Sequence, residues 1–135
     1  MGLVWYSFCG LVCLASLKAS TQLVGDIREA SVDNPEVLKS AQFAVDEYNK
    51  ASNDLYFSKL INITYAKQQI VNGIKYYLGV ELGHTECEKR NFSDAFSCDL
   101  PPSQDQTIFC RFEVLVVAWR HETTLLSMSC QPESY

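Results

Sequence analysis

Cysteine and histidine are side chains readily recruited as nucleophiles, bases or metal ligands, and the chain of 135 residues has six of one and two of the other. Cys9 and Cys13 lie in an apolar N-terminal run, whereas Cys87, Cys98, Cys110 and Cys130 are spread over the second half. A zinc site would want paired ligands at C-x₂₋₄-C spacing. Among the four later cysteines no such pair occurs, and His84 and His121 are far apart. A catalytic cysteine would need a free thiolate beside a base. Four cysteines in a small chain instead read as two disulfides, which leave no nucleophile. Three connectivities are open, and spacing selects none of them. No Ser-His-Asp order, paired-carboxylate site or phosphate loop stands out. The expectation is therefore a protein that is no enzyme, with no metal and no cofactor.

The remaining chemistry is that of surfaces. Gln69-Ile70-Val71-Asn72-Gly73 lies between two alternating runs, and Asn-Gly there signals a hairpin turn because both residues tolerate positive φ. Ala118-Trp119 sits among polar residues and outside any alternating run, so Trp119 is expected to be exposed. Leu23-Val24 before Gly25 is either the start of an edge strand or an apolar pair offered to a partner. Asn62-Ile63-Thr64 and Asn91-Phe92-Ser93 are N-glycosylation sequons. Asn62 can point outward if Ile61 and Ile63 point inward.

The elements that must position these residues follow from periodicity. Asp33 or Asn34 can cap a helix with Pro35 in its first turn, and Asp33 with Glu36 would make a capping box. Val37, Leu38, Ala41, Ala44, Val45 and Tyr48 then recur at helical spacing, ending near Ser52-Asn53-Asp54. Period-two runs follow over about 56–68, 74–84, 108–117 and a short 125–130. The stretch 85–106 has no period; a Cys87–Cys98 bridge would tether it, for about 3 kcal/mol. A Cys110–Cys130 bridge would staple the second hairpin. One helix followed by two hairpins in one antiparallel sheet predicts an α+β fold, with the helix covering one sheet face. The two hairpin turns fall at one end of that sheet.

The totals agree. A net charge of −5 argues against a nucleic-acid partner, and 47% hydrophobic residues suffice for a core. The apolar run from Leu3 to Leu17 is too short to span a membrane and fits a signal peptide, residues 1–19, ahead of one domain, residues 20–135. The product is expected to be secreted and extracellular, with no membrane partner.

Taken together, the motifs resemble a known family. Gln69-Ile70-Val71-Asn72-Gly73 matches the Q-x-V-x-G loop of the cystatins, Leu23-Val24-Gly25 looks like their N-terminal arm, and Trp119 falls where their second loop carries tryptophan. The four cysteines and the segment 43–54 are similar to the secreted (type 2) group. The stretches 24–28 and 112–117 lean toward its M/E type. The resemblance implies a reversible, tight-binding inhibitor of papain-like cysteine endopeptidases of the cathepsin kind, acting as a monomer. Leu23, Val24 and Gly25, Gln69 to Gly73 (with Ile70, Val71 and Asn72), and Ala118-Trp119 would form one wedge for the active-site cleft. It also implies one long helix packed across a curved antiparallel β-sheet of about five strands, the pairings Cys87–Cys98 and Cys110–Cys130, and a second site at Asn53 for legumain, an asparagine-specific endopeptidase. Two departures stand out: Ala118 replaces the usual proline, which frees the unbound loop by about 0.4–1 kcal/mol, and Asp26 replaces a second glycine. They motivate the alternative, a secreted binding protein of this fold that has lost inhibition.

Overall fold

A computed structural model describes residues 24–102 and 106–133. The predicted signal segment and Leu23 lie outside the described residues. The order of elements is β1 (Arg28–Glu29), α1 (Pro35–Ala51), β2 (Tyr56–Val71), β3 (Gly73–Glu88), β4 (Thr107–Val117), one 3₁₀ turn (Ala118–Arg120) and β5 (Glu122–Pro132). The five strands pair in chain order, each antiparallel to the next. This is the α+β architecture that the periodicity predicts.

Helix α1 begins at Asn34, whose side chain accepts from the Glu36 amide at 2.8 Å. Of the two candidate caps it is thus Asn34, with Pro35 next, where a missing N–H costs nothing. Val37, Ala41, Ala44 and Val45 are fully buried against Ala66, Tyr76, Leu78, Val80, Leu82, Cys110, Phe112 and Val114. These four small or β-branched residues on one face let the helix lie close to the sheet. Leu38, expected on the apolar stripe, is exposed at the helix flank, where it borders an open hollow with Leu60, Ile61 and Ile63 of β2.

The sheet curves through irregularities in β2. The β2–β3 register shifts between Leu60 and Asn62 and again between Ile63 and Tyr65. Each extra residue bends and twists the strand. The first shift turns Ile61 outward and leaves Asn62 opposite Glu81, on the face away from α1. The strands are longer than the sequence suggests. β3 runs on to Glu88, and β5 spans Glu122–Pro132 rather than a short 125–130, because backbone pairing continues through polar residues.

Two polar groups pin the helix end to the sheet. Asn49 is buried, its Nδ2 donates to the Ser58 carbonyl and its Oδ1 accepts from the Ser58 amide, both at 2.9 Å. The Lys89 ammonium donates to the carbonyls of Asn49 and Ser52, at 2.8 and 3.0 Å, filling the acceptors left open at a helix C-terminus. Both disulfides are formed as Cys87–Cys98 and Cys110–Cys130. Cys110 and Cys130 are direct cross-strand partners. The loop after β3 is held by the first bridge, and by the Lys59 ammonium donating to the Phe96 and Cys98 carbonyls.

Candidate functional site

Because β3 leaves the first turn and β4 returns beside it, the β2–β3 and β4–β5 turns share one end of the sheet. The first turn is very tight: Val71 pairs with Gly73 across Asn72. Among its residues only Gly73 has positive φ, at 129°, so Asn72 does not adopt the left-handed conformation expected of it. Gly73 itself is buried, packed on the end of β4. A Cβ there would stand 2.7 Å from the Val116 carbonyl oxygen. Glycine therefore lets the two turns close on each other.

The second turn continues from Val117 into the 3₁₀ turn Ala118–Arg120, closed by the His121 amide donating to the Ala118 carbonyl at 3.1 Å. His121 sits in the left-handed region, at φ 53°. Ala118 and Trp119 are exposed, Trp119 by 65%. A tryptophan that open beside polar residues contributes little to the core and much to any surface it docks on.

The N-terminal segment joins the same end along the free edge of β2. Gly25 donates its amide to the Ile70 carbonyl at 2.8 Å, Arg28 and Glu29 pair with Gln68 and Lys67, and Ala30 donates to the Ala66 carbonyl at 2.9 Å. A Cβ on Gly25 would lie 3.3 Å from the Ile70 side chain and carbonyl, so the backbone approaches β2 closely here too. Val24 and Ile70 are 56% and 53% exposed. Gly25, Gln69 to Gly73 and Ala118-Trp119 thus come together as one edge, with apolar side chains outermost. Leu23 lies outside the described residues.

Beneath this edge, on the face away from α1, is a polar chain that the sequence pattern did not single out. The Gln69 Nε2 donates to the Gly25 carbonyl at 3.1 Å, and the Tyr77 hydroxyl donates to Gln69 Oε1 at 2.8 Å. The Lys75 ammonium stands 4.9 Å over the Tyr77 ring and pairs with Glu113 at 3.0 Å. The hydrogen bond to Glu113, and then that to Tyr77, raise the Lys75 pKa. In sequence, Lys75 and Tyr77 read only as the outward residues of an alternating strand.

Asn53 lies at the opposite end, about 50 Å of strand away. It is exposed in a turn braced on both sides. The Asp54 amide donates to Ser52 Oγ at 3.0 Å, and Asp54 Oδ1 accepts from the Tyr56 amide at 3.0 Å. Both sequon asparagines, Asn62 and Asn91, are exposed. Among the described residues no cluster of ligating side chains could hold a metal ion, and no helix is long and apolar enough to cross a membrane.

Comparison with known proteins gives this arrangement a family. The model of the cystatin domain matches residues 25–119. Cystatin-2 of Crotalus adamanteus is 39% identical over 122 residues, covering 89% of each chain. The crystal structure of dimeric human cystatin F aligns with a TM-score of 0.79 at 31% identity, over 92% of this chain and 99% of that one. A salivary cystatin of the soft tick Ornithodoros moubata shares the fold, with a TM-score of 0.69 at 19% identity, over 79% and 97% of the two chains. Cystatins are inhibitors of cysteine proteases rather than enzymes. With its arm, two turns and two disulfides in family order, the chain belongs to the cystatin family.

Proposed function

We infer that the chain inhibits papain-like cysteine endopeptidases of the cathepsin type by inserting this edge into their active-site cleft. Leu23 and Val24 occupy the non-primed subsites, and Gly25 carries the backbone past the catalytic cysteine. Gln69, Ile70, Val71, Asn72 and Gly73 fill the centre, and Ala118-Trp119 packs on the primed side. One observation carries the reading: three segments distant in sequence are hydrogen-bonded or packed into a single edge, Gly25 on Ile70 and Gly73 on Val116. A preformed edge loses little conformational entropy on docking, so more of the contact energy appears as affinity. Replacing Trp119 with alanine should weaken inhibition of papain by about 30-fold or more, as for an aromatic anchor. Its melting temperature should not move, since the ring is mostly exposed. Unchanged inhibition would remove Trp119 from the site.

A second site at the far end takes legumain, with Asn53 as the residue presented. Its support is the braced, exposed turn, whose flanking hydrogen bonds hold Asn53 outward. Asn53→Ala should abolish inhibition of legumain and leave that of papain intact; loss of both, or of neither, would refute two separate sites. The inhibitor is secreted as a monomer after removal of residues 1–19, and carries glycans at Asn62 and Asn91. Asn62 Nδ2 donates to Glu81 Oε1 at 3.2 Å, a bond that a glycosylated amide can keep with its remaining hydrogen.

A further inference from the structure

We propose that Tyr77 is a positioning residue for the N-terminal arm: through Gln69, its hydroxyl fixes where Gly25 lies against the first turn. Gln69 and Tyr77 are diagonal neighbours on adjacent strands, since Gln69 pairs with Lys75 and Tyr77 with Lys67. Diagonal neighbours on one face are within reach of long side chains. A glutamine amide presents an acceptor at one end and donors at the other. Only the orientation with Nε2 toward Gly25 gives that carbonyl a donor; the flipped amide would set oxygen against oxygen. The Gly25 carbonyl, which can only accept, takes Nε2 at 3.1 Å, and the Tyr77 hydroxyl anchors the other end of the amide by donating to Oε1 at 2.8 Å.

The ring itself is held. Lys75 lies over it, and Glu113 on β4 holds Lys75 at 3.0 Å. The chain Glu113–Lys75–Tyr77–Gln69–Gly25 therefore runs from the interior of the sheet to its edge. The edge needs such a brace, because β1 pairs with β2 over only Arg28 and Glu29. Beyond them, the Gly25 amide bonded to Ile70 and the Gly25 carbonyl bonded to Gln69 hold the arm. The role in inhibition rests on the reading given above; the brace itself does not.

Tyr77→Phe removes the hydroxyl and keeps the ring. Amide hydrogen exchange on the folded, disulfide-bonded protein reads the brace without a protease. Exchange at Gly25 should quicken about 3–10-fold, the loss of roughly one hydrogen bond, while exchange in α1 stays the same. In a Gln69→Glu background, where the donor to Gly25 is already gone, Tyr77→Phe should add nothing. The dissociation rate from papain should rise by a similar factor in the chain carrying the arm. In a chain beginning at Asp26 it should not change. Unchanged exchange at Gly25, or an equal effect on dissociation with and without the arm, would overturn the proposal. Absence of papain inhibition in every variant would instead count against the inhibitory edge, and exchange would still decide the brace.

Discussion

Gly73 is the residue on which the proposed inhibitory edge most depends for its shape. Its φ of 129° and the 2.7 Å approach of a built Cβ to the Val116 carbonyl leave alanine two penalties, backbone strain and a clash with backbone. Strain of that kind costs on the order of 1–3 kcal/mol. Gly73→Ala should lower the denaturation midpoint accordingly and weaken papain inhibition by moving the two turns apart. A variant as stable as the parent would show that the turn relaxes freely. The pentapeptide was legible as a turn from Asn72-Gly73 alone, but the division of labour within it was not. The pattern suggested two left-handed residues. The structure has one such residue, and it is buried, because what demands glycine is a contact with β4 that no local pattern encodes.

At the level of elements, α1 is joined to the sheet by apolar packing along its length and by Asn49 at its end. Asn49→Ala would leave the Ser58 amide and carbonyl buried without partners. The expected loss is about 2–4 kcal/mol in chemical denaturation, and a change below about 0.5 kcal/mol would mean water replaces the side chain. Asp46, on the same helix, lines a cleft with Phe57, Phe92 and Asp94. Partial burial, then the charge of Asp94, raise its pKa. A raised carboxyl contributes stability that is present when protonated, below the unfolded value, and lost as pH rises through the folded one. Asp46→Asn should therefore be more stable than the parent at pH 7, by no more than about 0.5 kcal/mol for so open a group, with the gain gone near pH 3. A loss of stability at pH 7 would reverse the sign. The helix and the two hairpins were legible because their periodicities are long and regular. The lengths of β3 and β5 were not, since their outer residues are polar and only pairing with a neighbouring strand makes them strand. Asn49 and Tyr77 escaped for the same reason: a polar residue in a regular element reads as solvent-facing until its partner is known.

Across the whole molecule the two ends of the sheet gather different parts of the chain. One end gathers the arm and both turns. The other gathers the helix C-terminus, Asn53, and the loop closed by Cys87–Cys98. Asp94 steadies that loop by accepting from the amide and hydroxyl of Ser97, at 3.0 and 3.1 Å, bonds that lower its pKa. Phe96, 73% exposed, marks the same end. Replacing Cys87 and Cys98 with serine should cost about 2–4 kcal/mol of stability while leaving papain inhibition within about twofold. A large loss of inhibition at a temperature where the variant is folded would show the ends to be coupled. The central claim is that the edge of Gly25, Gln69–Gly73 and Trp119 closes the cleft of a papain-like protease. Its most direct test is titration of active-site-quantified papain with the disulfide-bonded protein lacking residues 1–19. The account predicts competitive, reversible inhibition at one inhibitor per enzyme, weakened when residues through Val24 are removed. No inhibition at micromolar concentration would contradict it.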